Sequence, residues 1–220
     1  MKKKRKTKKQ ITYIARGRAA AAFAGLVFFA VISYFVVTQD TPAFDTVVRE
    51  YIYSLRGEGL TAFFTRVTYL GNWQAITLIC CLFLLLPGVR HSFGIPLSAT
   101  ALTAALIQRV LKVSFHRARP DLTLHLITQG GYSFPSGHSF SVLIFYGTVI
   151  FLCRRNLKDK TAANAITALL SCLILLIGFS RVYLGVHYPT DVLGGWSLGL
   201  SVLMVISSRI LFFDSRRKAE

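Results

Sequence analysis

The sequence predicts an all-α integral membrane protein of six transmembrane helices, and three observations carry that prediction. Of 220 residues, 53% are hydrophobic and only 16% charged, with a mean hydropathy of +0.52, which is too apolar for a soluble domain of this size. Six apolar runs approach the roughly 20 residues that a helix needs to cross hydrocarbon, where unpaired backbone groups are not tolerated. The Lys and Arg behind the net charge of +17 gather at the chain ends and in short connections. Spread over a soluble surface they would suggest nucleic acid; placed there they set membrane orientation.

Taken in order, residues 1–18 form a basic tail and 19–37 the first span. The basic run 2–9 gives that span the look of a signal peptide, but it ends in Tyr34-Phe35-Val36-Val37-Thr38-Gln39-Asp40 with no small-residue cleavage site, so a retained anchor is expected. Next, Phe44, Val47, Val48, Tyr51, Ile52 and Leu55 recur at helical spacing, with Asp45, Arg49, Glu50 and Ser54 between them. They predict an amphipathic helix over 44–56 that lies on the outer surface and shields the bundle. The second span, 73–86 extended backward through Phe63, and the fourth, 140–153, are short and continue into less apolar flanks. The third runs over 95–113, the fifth over 162–179 and the sixth over 192–213, closing a six-span domain (19–213) before a tail of 214–220. Cys80, Cys81, Cys153 and Cys172 lie within or at the ends of these runs, with neither metal-finger spacing nor a disulfide framework, and read as packing residues.

With a cytoplasmic N-terminus, the inside segments hold 17 Lys and Arg and the outside segments six: Arg49, Arg56, Lys112, Arg117, Arg119 and Arg181. That asymmetry places both termini, with tails 1–18 and 214–220, on the cytoplasmic side of the cell membrane. Four of the six exceptions cluster after the third and fifth spans. A cation on the unfavoured side needs a purpose.

Three blocks fall on that outer side. They are Lys112 to Pro120, Tyr132 to Ser139, and Ser180 to Asp191. Lys112, Arg119 and Arg181 supply fixed cationic donors suited to a dianionic phosphate. Ser136 and Gly137 precede a helix start, where free N–H groups and the helix dipole favour an anion. His187 has Asp191 four residues on, close enough to fix its tautomer and leave one ring nitrogen free to attack phosphorus. His138 then suits a general acid for the leaving oxygen and a base for the following water.

Each residue has a plainer reading. Isolated Lys112, Arg119 and Arg181 snorkel to the interface, and His138 and His187 taken singly are hydrogen-bonded interface residues. Arg117 lies within the first block but outside its set of phosphate donors, and reads as a snorkelling side chain. A metal site from His138, His187 and Asp191 is possible by ligand type but is opposed by three adjacent cations. His91, His116 and His125 carry no assignment, and Tyr183, Tyr188 and Trp196 read as interface aromatics.

Together the blocks resemble the type 2 phosphatidic acid phosphatase superfamily, which includes vanadium-dependent haloperoxidases. Lys112-x6-Arg119-Pro120, Pro135-Ser136-Gly137-His138 and Ser180-Arg181-x5-His187-x3-Asp191 match its three motifs without departure. The resemblance implies His187 as nucleophile, Asp191 as its partner and His138 as the acid, with Lys112, Arg119, Ser136, Gly137 and Arg181 binding phosphate. It implies no metal or other cofactor, and a phosphohistidine intermediate. The substrate it implies is a phospholipid or isoprenoid lipid phosphate, with undecaprenyl pyrophosphate or phosphatidylglycerol phosphate favoured and lipid A or another envelope lipid next. The loop 121–131 is the candidate specificity element. Membrane lipids are the expected surroundings; no nucleic acid and no obligate protein partner is expected. The competing class is a non-catalytic lipid or anion transporter, for which no inverted repeat is visible.

Overall fold

Apolar periodicity becomes helix along most of the chain, and no strand occurs among the described residues. The computed structural model describes the backbone of residues 2–217 and the side chains of 15–212, so the side chains of the basic run 2–9 and of the tail 214–220 lie outside the described residues. In order the helices are α1 (Lys2–Val37), α2 (Pro42–Ser54), α3 (Glu58–Tyr69), α4 (Trp73–Leu85), the single turn α5 (Pro87–Val89) and α6 (Ile95–Phe115). Then follow α7 (Gly137–Asn156), α8 (Lys160–Tyr183) and α9 (Pro189–Arg217). A π-helical stretch, Arg90–Gly94, joins α5 to α6.

Among the described residues, five segments are long and apolar enough to cross a membrane: Ala15–Val37, Pro87–Phe115, Gly137–Asn156, Lys160–Tyr183 and Pro189–Phe212. A sixth exists if α3 and α4, bent by 48° at a short break, count as one span. The helices outrun the apolar windows because caps, not hydropathy, decide where a helix starts. Asp159 accepts from Thr161 N and Ala162 N ahead of α8, and Pro189 opens α9 with its φ already helical.

The second span departs from the continuous helix expected of it. Leu70, Gly71 and Asn72 interrupt it, and the Tyr146 hydroxyl of α7 donates to the Leu70 carbonyl at 2.8 Å, satisfying a group that the break frees.

The most buried span is α7, which packs against α6, α8 and α9, while α1 lies along α9. Contact between α7 and α9 is close because Gly195 has no side chain: a Cβ there would sit 2.7 Å from the Ser136 carbonyl oxygen. One apolar core, with Leu97, Val142, Phe145 and Ile177, lies among α6, α7 and α8; a second, with Phe29, Phe134, Phe140 and Ile144, joins α1 to α7. Two aromatics expected at the interface are instead internal. Tyr183 is fully buried with its ring 4.7 Å from that of Phe64, and Trp196 packs into the cores beside Gly178. Since α6 to α9 alternate in direction, the end of α6, the start of α7, the end of α8 and the start of α9 meet at one end of the bundle. All three sequence blocks arrive there.

Candidate active site

Between α8 and α9 the chain turns through Leu184 to Tyr188, and Pro189 restarts it as helix. His187 sits at the end of this turn and Asp191 in the first turn of α9, with Nδ1 of the imidazole 3.2 Å from Asp191 Oδ2. The carboxylate is fully buried and held from several directions. Its Oδ2 also accepts from Tyr188 N–H at 2.8 Å and from the Ser133 hydroxyl, and its Oδ1 receives Arg117 Nη1 at 2.5 Å. These bonds leave Asp191 no freedom to rotate away. They select the tautomer with the proton on Nδ1 and a lone pair on Nε2. Burial pushes the His187 pKa down to about 3, against the opposing pull of the Asp191 hydrogen bond and charge, so the ring is neutral.

The cations surround that free nitrogen. Arg119 Nη1 lies 3.2 Å from His187 Nε2 and also donates to the Val186 carbonyl, while Nε and Nη2 are anchored on the carbonyls of Gly131 and Gly130. Burial holds its pKa below the ordinary arginine value. Arg181, in the last turn of α8 and 1% exposed, is braced by Thr68 Oγ1 at 2.7 Å and Gln129 Oε1 at 2.6 Å; its Nε has no hydrogen-bond partner among the described residues. Lys112 Nζ touches the Tyr132 carbonyl at 3.3 Å. Ser136 caps α7, its hydroxyl accepting from Ser139 N and Oγ, and the Gly137 and His138 N–H groups come before Phe140, whose N–H is the first to reach the Ser136 carbonyl. His138 Nε2 faces Asn72 Oδ1 at 2.7 Å.

A cavity of about 550 Å³ connects these groups. His187, Arg119, Lys112, His138, Gly137, Gln108 and Gln129 line its polar end, and it continues between α4 and α6 past Ile76, Cys80, Leu84, Ala101 and Leu102. Trp73, Cys81, Leu102 and Ala105 along it are exposed on the outer face of the bundle. The arrangement offers an anion site with a neutral imidazole at one end and an apolar slot at the other. No group of three His, Cys, Asp or Glu side chains able to hold a metal ion occurs among the described residues.

Of the predicted residues, His187, His138, Gly137, Lys112 and Arg119 line the cavity, Asp191 and Ser136 lie directly behind it, and Arg181 approaches through Gln129. From the loop 121–131, Gln129 alone lines it. Arg117 is no snorkelling side chain: it is half-buried between Asp45 and Asp191, stacked 4.2 Å from the centre of the Tyr188 ring. Burial works against its charge, but the two carboxylates outweigh burial and raise its pKa. Sequence reading passed over Asp45, Thr68, Asn72, Ser133 and Thr190, whose partners are distant in the chain.

Residues 93–213, more than half the chain, match the PAP2 superfamily. Phosphatidylglycerophosphatase B of Bacillus subtilis (strain 168) is 28% identical over 198 residues, 87% of this chain and 94% of that protein. Lipid A 1-phosphatase of Rhizobium etli is 32% identical over 136 residues, 54% of this chain and 53% of that protein. Among solved structures, the crystal structure of the transmembrane PAP2 type phosphatidylglycerolphosphate phosphatase from Bacillus subtilis superimposes with a TM-score of 0.77 at 27% identity, covering 89% of this chain and 96% of that one. Three motifs in order, their convergence on one cavity and these likenesses agree: the chain belongs to the PAP2 superfamily.

Proposed function

We propose that this protein is a lipid phosphatase of the cell membrane that works through a phosphohistidine. The observation that carries this reading is the cavity, which joins an imidazole-and-cation end to an apolar slot between α4 and α6. A substrate with a phosphate head and a hydrocarbon tail has that shape.

In this mechanism the arriving phosphate draws Arg119 away from His187 Nε2 onto its own oxygens, aided by Lys112, Arg181 and the first N–H groups of α7. The freed Nε2 lone pair attacks phosphorus as the bond to the lipid oxygen breaks, and His138 gives that oxygen the Nδ1 proton it took from the arriving monoanionic phosphate, its Nε2–H remaining on Asn72. Asp191 balances the positive charge on the ring through Nδ1–H. His138 then takes a proton from water, whose oxygen attacks phosphorus; the N–P bond breaks and phosphate leaves. Asn72, holding His138 Nε2, directs Nδ1 to both transfers. No metal is required in this scheme.

The reading includes six spans, α3 and α4 forming one, with both termini cytoplasmic and the site on the extracytoplasmic side. Phosphatidylglycerol phosphate and undecaprenyl pyrophosphate are the favoured substrates, the former supported by the nearly full-length Bacillus subtilis relative. Lipid A or another envelope lipid is the second reading, supported by the Rhizobium etli relative. Purified protein offered this panel should release inorganic phosphate from one class, form a covalently phosphorylated intermediate, and lose both in His187→Ala. Full release by His187→Ala would remove the nucleophile; binding of the lipids without release would leave a transporter.

A further inference from the structure

Arg117 joins two buried carboxylates carried by different helices. One guanidinium nitrogen lies 2.5 Å from Asp191 Oδ1 and the other 2.6 Å from Asp45 Oδ2. The same two nitrogens also donate to Thr190 Oγ1 at 2.8 Å and Thr41 Oγ1 at 3.0 Å. Asp45, at the start of α2, is 2% exposed and in addition receives Thr190 N–H at 2.9 Å and the Thr190 hydroxyl at 2.8 Å. Thus α2 is tied to the first turn of α9, the turn that presents Asp191 to His187.

The charges explain why two carboxylates are needed. A lone guanidinium against Asp191 would cancel the negative charge that the His187 ring requires once its nitrogen bonds phosphorus. With Asp45 on the far side, the three groups sum to one negative charge, and Asp191 keeps its hold on the Nδ1 proton. Only a planar fork grips two carboxylates on opposite edges; an ammonium is a single point.

We propose that Asp45 and Arg117 are positioning residues: through Asp45–Arg117–Asp191 they orient the carboxylate that keeps His187 in its Nδ1–H tautomer, which makes α2 part of the active site rather than a shield outside it. The proposal rests on His187 being the nucleophile. It predicts a defect in turnover rather than in substrate binding.

The test uses the purified full chain in detergent micelles, wild type beside Asp45→Asn and Arg117→Lys. Nitrogen NMR of labelled histidine reads the His187 tautomer without turnover, and phosphate release from phosphatidylglycerol phosphate and undecaprenyl pyrophosphate in mixed micelles reads kcat and KM. Both variants should shift His187 toward the Nε2–H form and lower kcat by on the order of 10- to 100-fold with KM nearly unchanged. Should Arg117→Lys fail to fold, Asp45→Asn carries the test, because it keeps the size and one of the two oxygens that accept from Thr190 while removing the charge. An unchanged tautomer overturns the proposal whatever the turnover. A shifted tautomer in a protein whose wild type releases no phosphate upholds the relay and fells the phosphatase reading instead.

Discussion

His187 is protonated at different pH in the folded and unfolded chain, and the difference is measurable. Its pKa is about 3 in the fold and about 6.5 when unfolded. Below pH 6.5 the unfolded chain takes up a proton that the folded chain refuses, so stability present above that pH is lost as pH falls toward 3. At roughly 1.4 kcal/mol per pH unit the loss reaches a few kcal/mol. The unfolding temperature in detergent should therefore drop between pH 7 and 4, and His187→Gln should flatten part of that drop. An equal drop in the variant would mean that the ring is not held neutral. The residues that make this environment were unequally legible in the sequence. Lys112 with Arg119, Ser136 with His138, and His187 with Asp191 are local groupings whose spacing survives in a one-dimensional reading. The pairs Arg117–Asp45, His138–Asn72 and Arg181–Thr68 span 72, 66 and 113 residues, and no local pattern distinguishes their members. Asp45 in an amphipathic run looks like part of a wet face; it is nearly inaccessible.

At the level of elements, hydropathy found the helices but not their ends or their breaks. The apolar run 162–179 stops short of Arg181, yet α8 continues to Tyr183, because the polar group it carries is braced by Thr68 and Gln129 instead of water. The break between α3 and α4 was invisible for a similar reason: its worth lies in what it touches. Residues 68–72 supply Thr68 to Arg181, Asn72 to His138, and at Gly71 a backbone on which a Cβ would stand 3.0 Å from His138 Cδ2 and 2.9 Å from Ile177 Cγ2. The bend thus acts as a fourth block of the site. Asn72→Leu removes the acceptor for His138 Nε2 at similar size, and proton transfer by a positioned side chain is worth on the order of 100-fold or more. We expect Asn72→Leu to lower kcat by at least about 10-fold, since the ring stays near the site but loses its orientation. Gly71→Ala should also depress kcat by pushing that ring aside. Wild-type turnover in both would mean that the bend serves packing alone.

For the molecule as a whole, the consequence of the proposed function is that head and tail of a lipid substrate would be handled by different surfaces. The head end is built from helix termini, where polar groups are satisfied by caps and crossing hydrogen bonds, and the tail end from the facing sides of α4 and α6, which carry Ile76, Cys80, Leu84 and Leu102. Ala105 lines the tail end and is exposed, so a larger side chain there enters the slot without disturbing a packed core. Ala105→Trp should consequently reduce phosphate release from a long-chain lipid by on the order of 10-fold or more, through lost burial of the chain. Release from a short, water-soluble phosphomonoester, which uses the head end alone, should be unaffected. A parallel loss on both substrates would indicate damage to the helix ends, and no loss on either would place the lipid tail outside the groove between α4 and α6. The separation also ties orientation to the proposed function, because a slot facing the bilayer would admit a tail directly from the leaflet while the head stays at the membrane surface. A cysteine introduced at Ala118, which is exposed in the loop between α6 and α7, should accordingly react with an impermeant thiol reagent in intact cells. Protection of that cysteine until the cells are opened would put the site on the cytoplasmic side and reverse the topology.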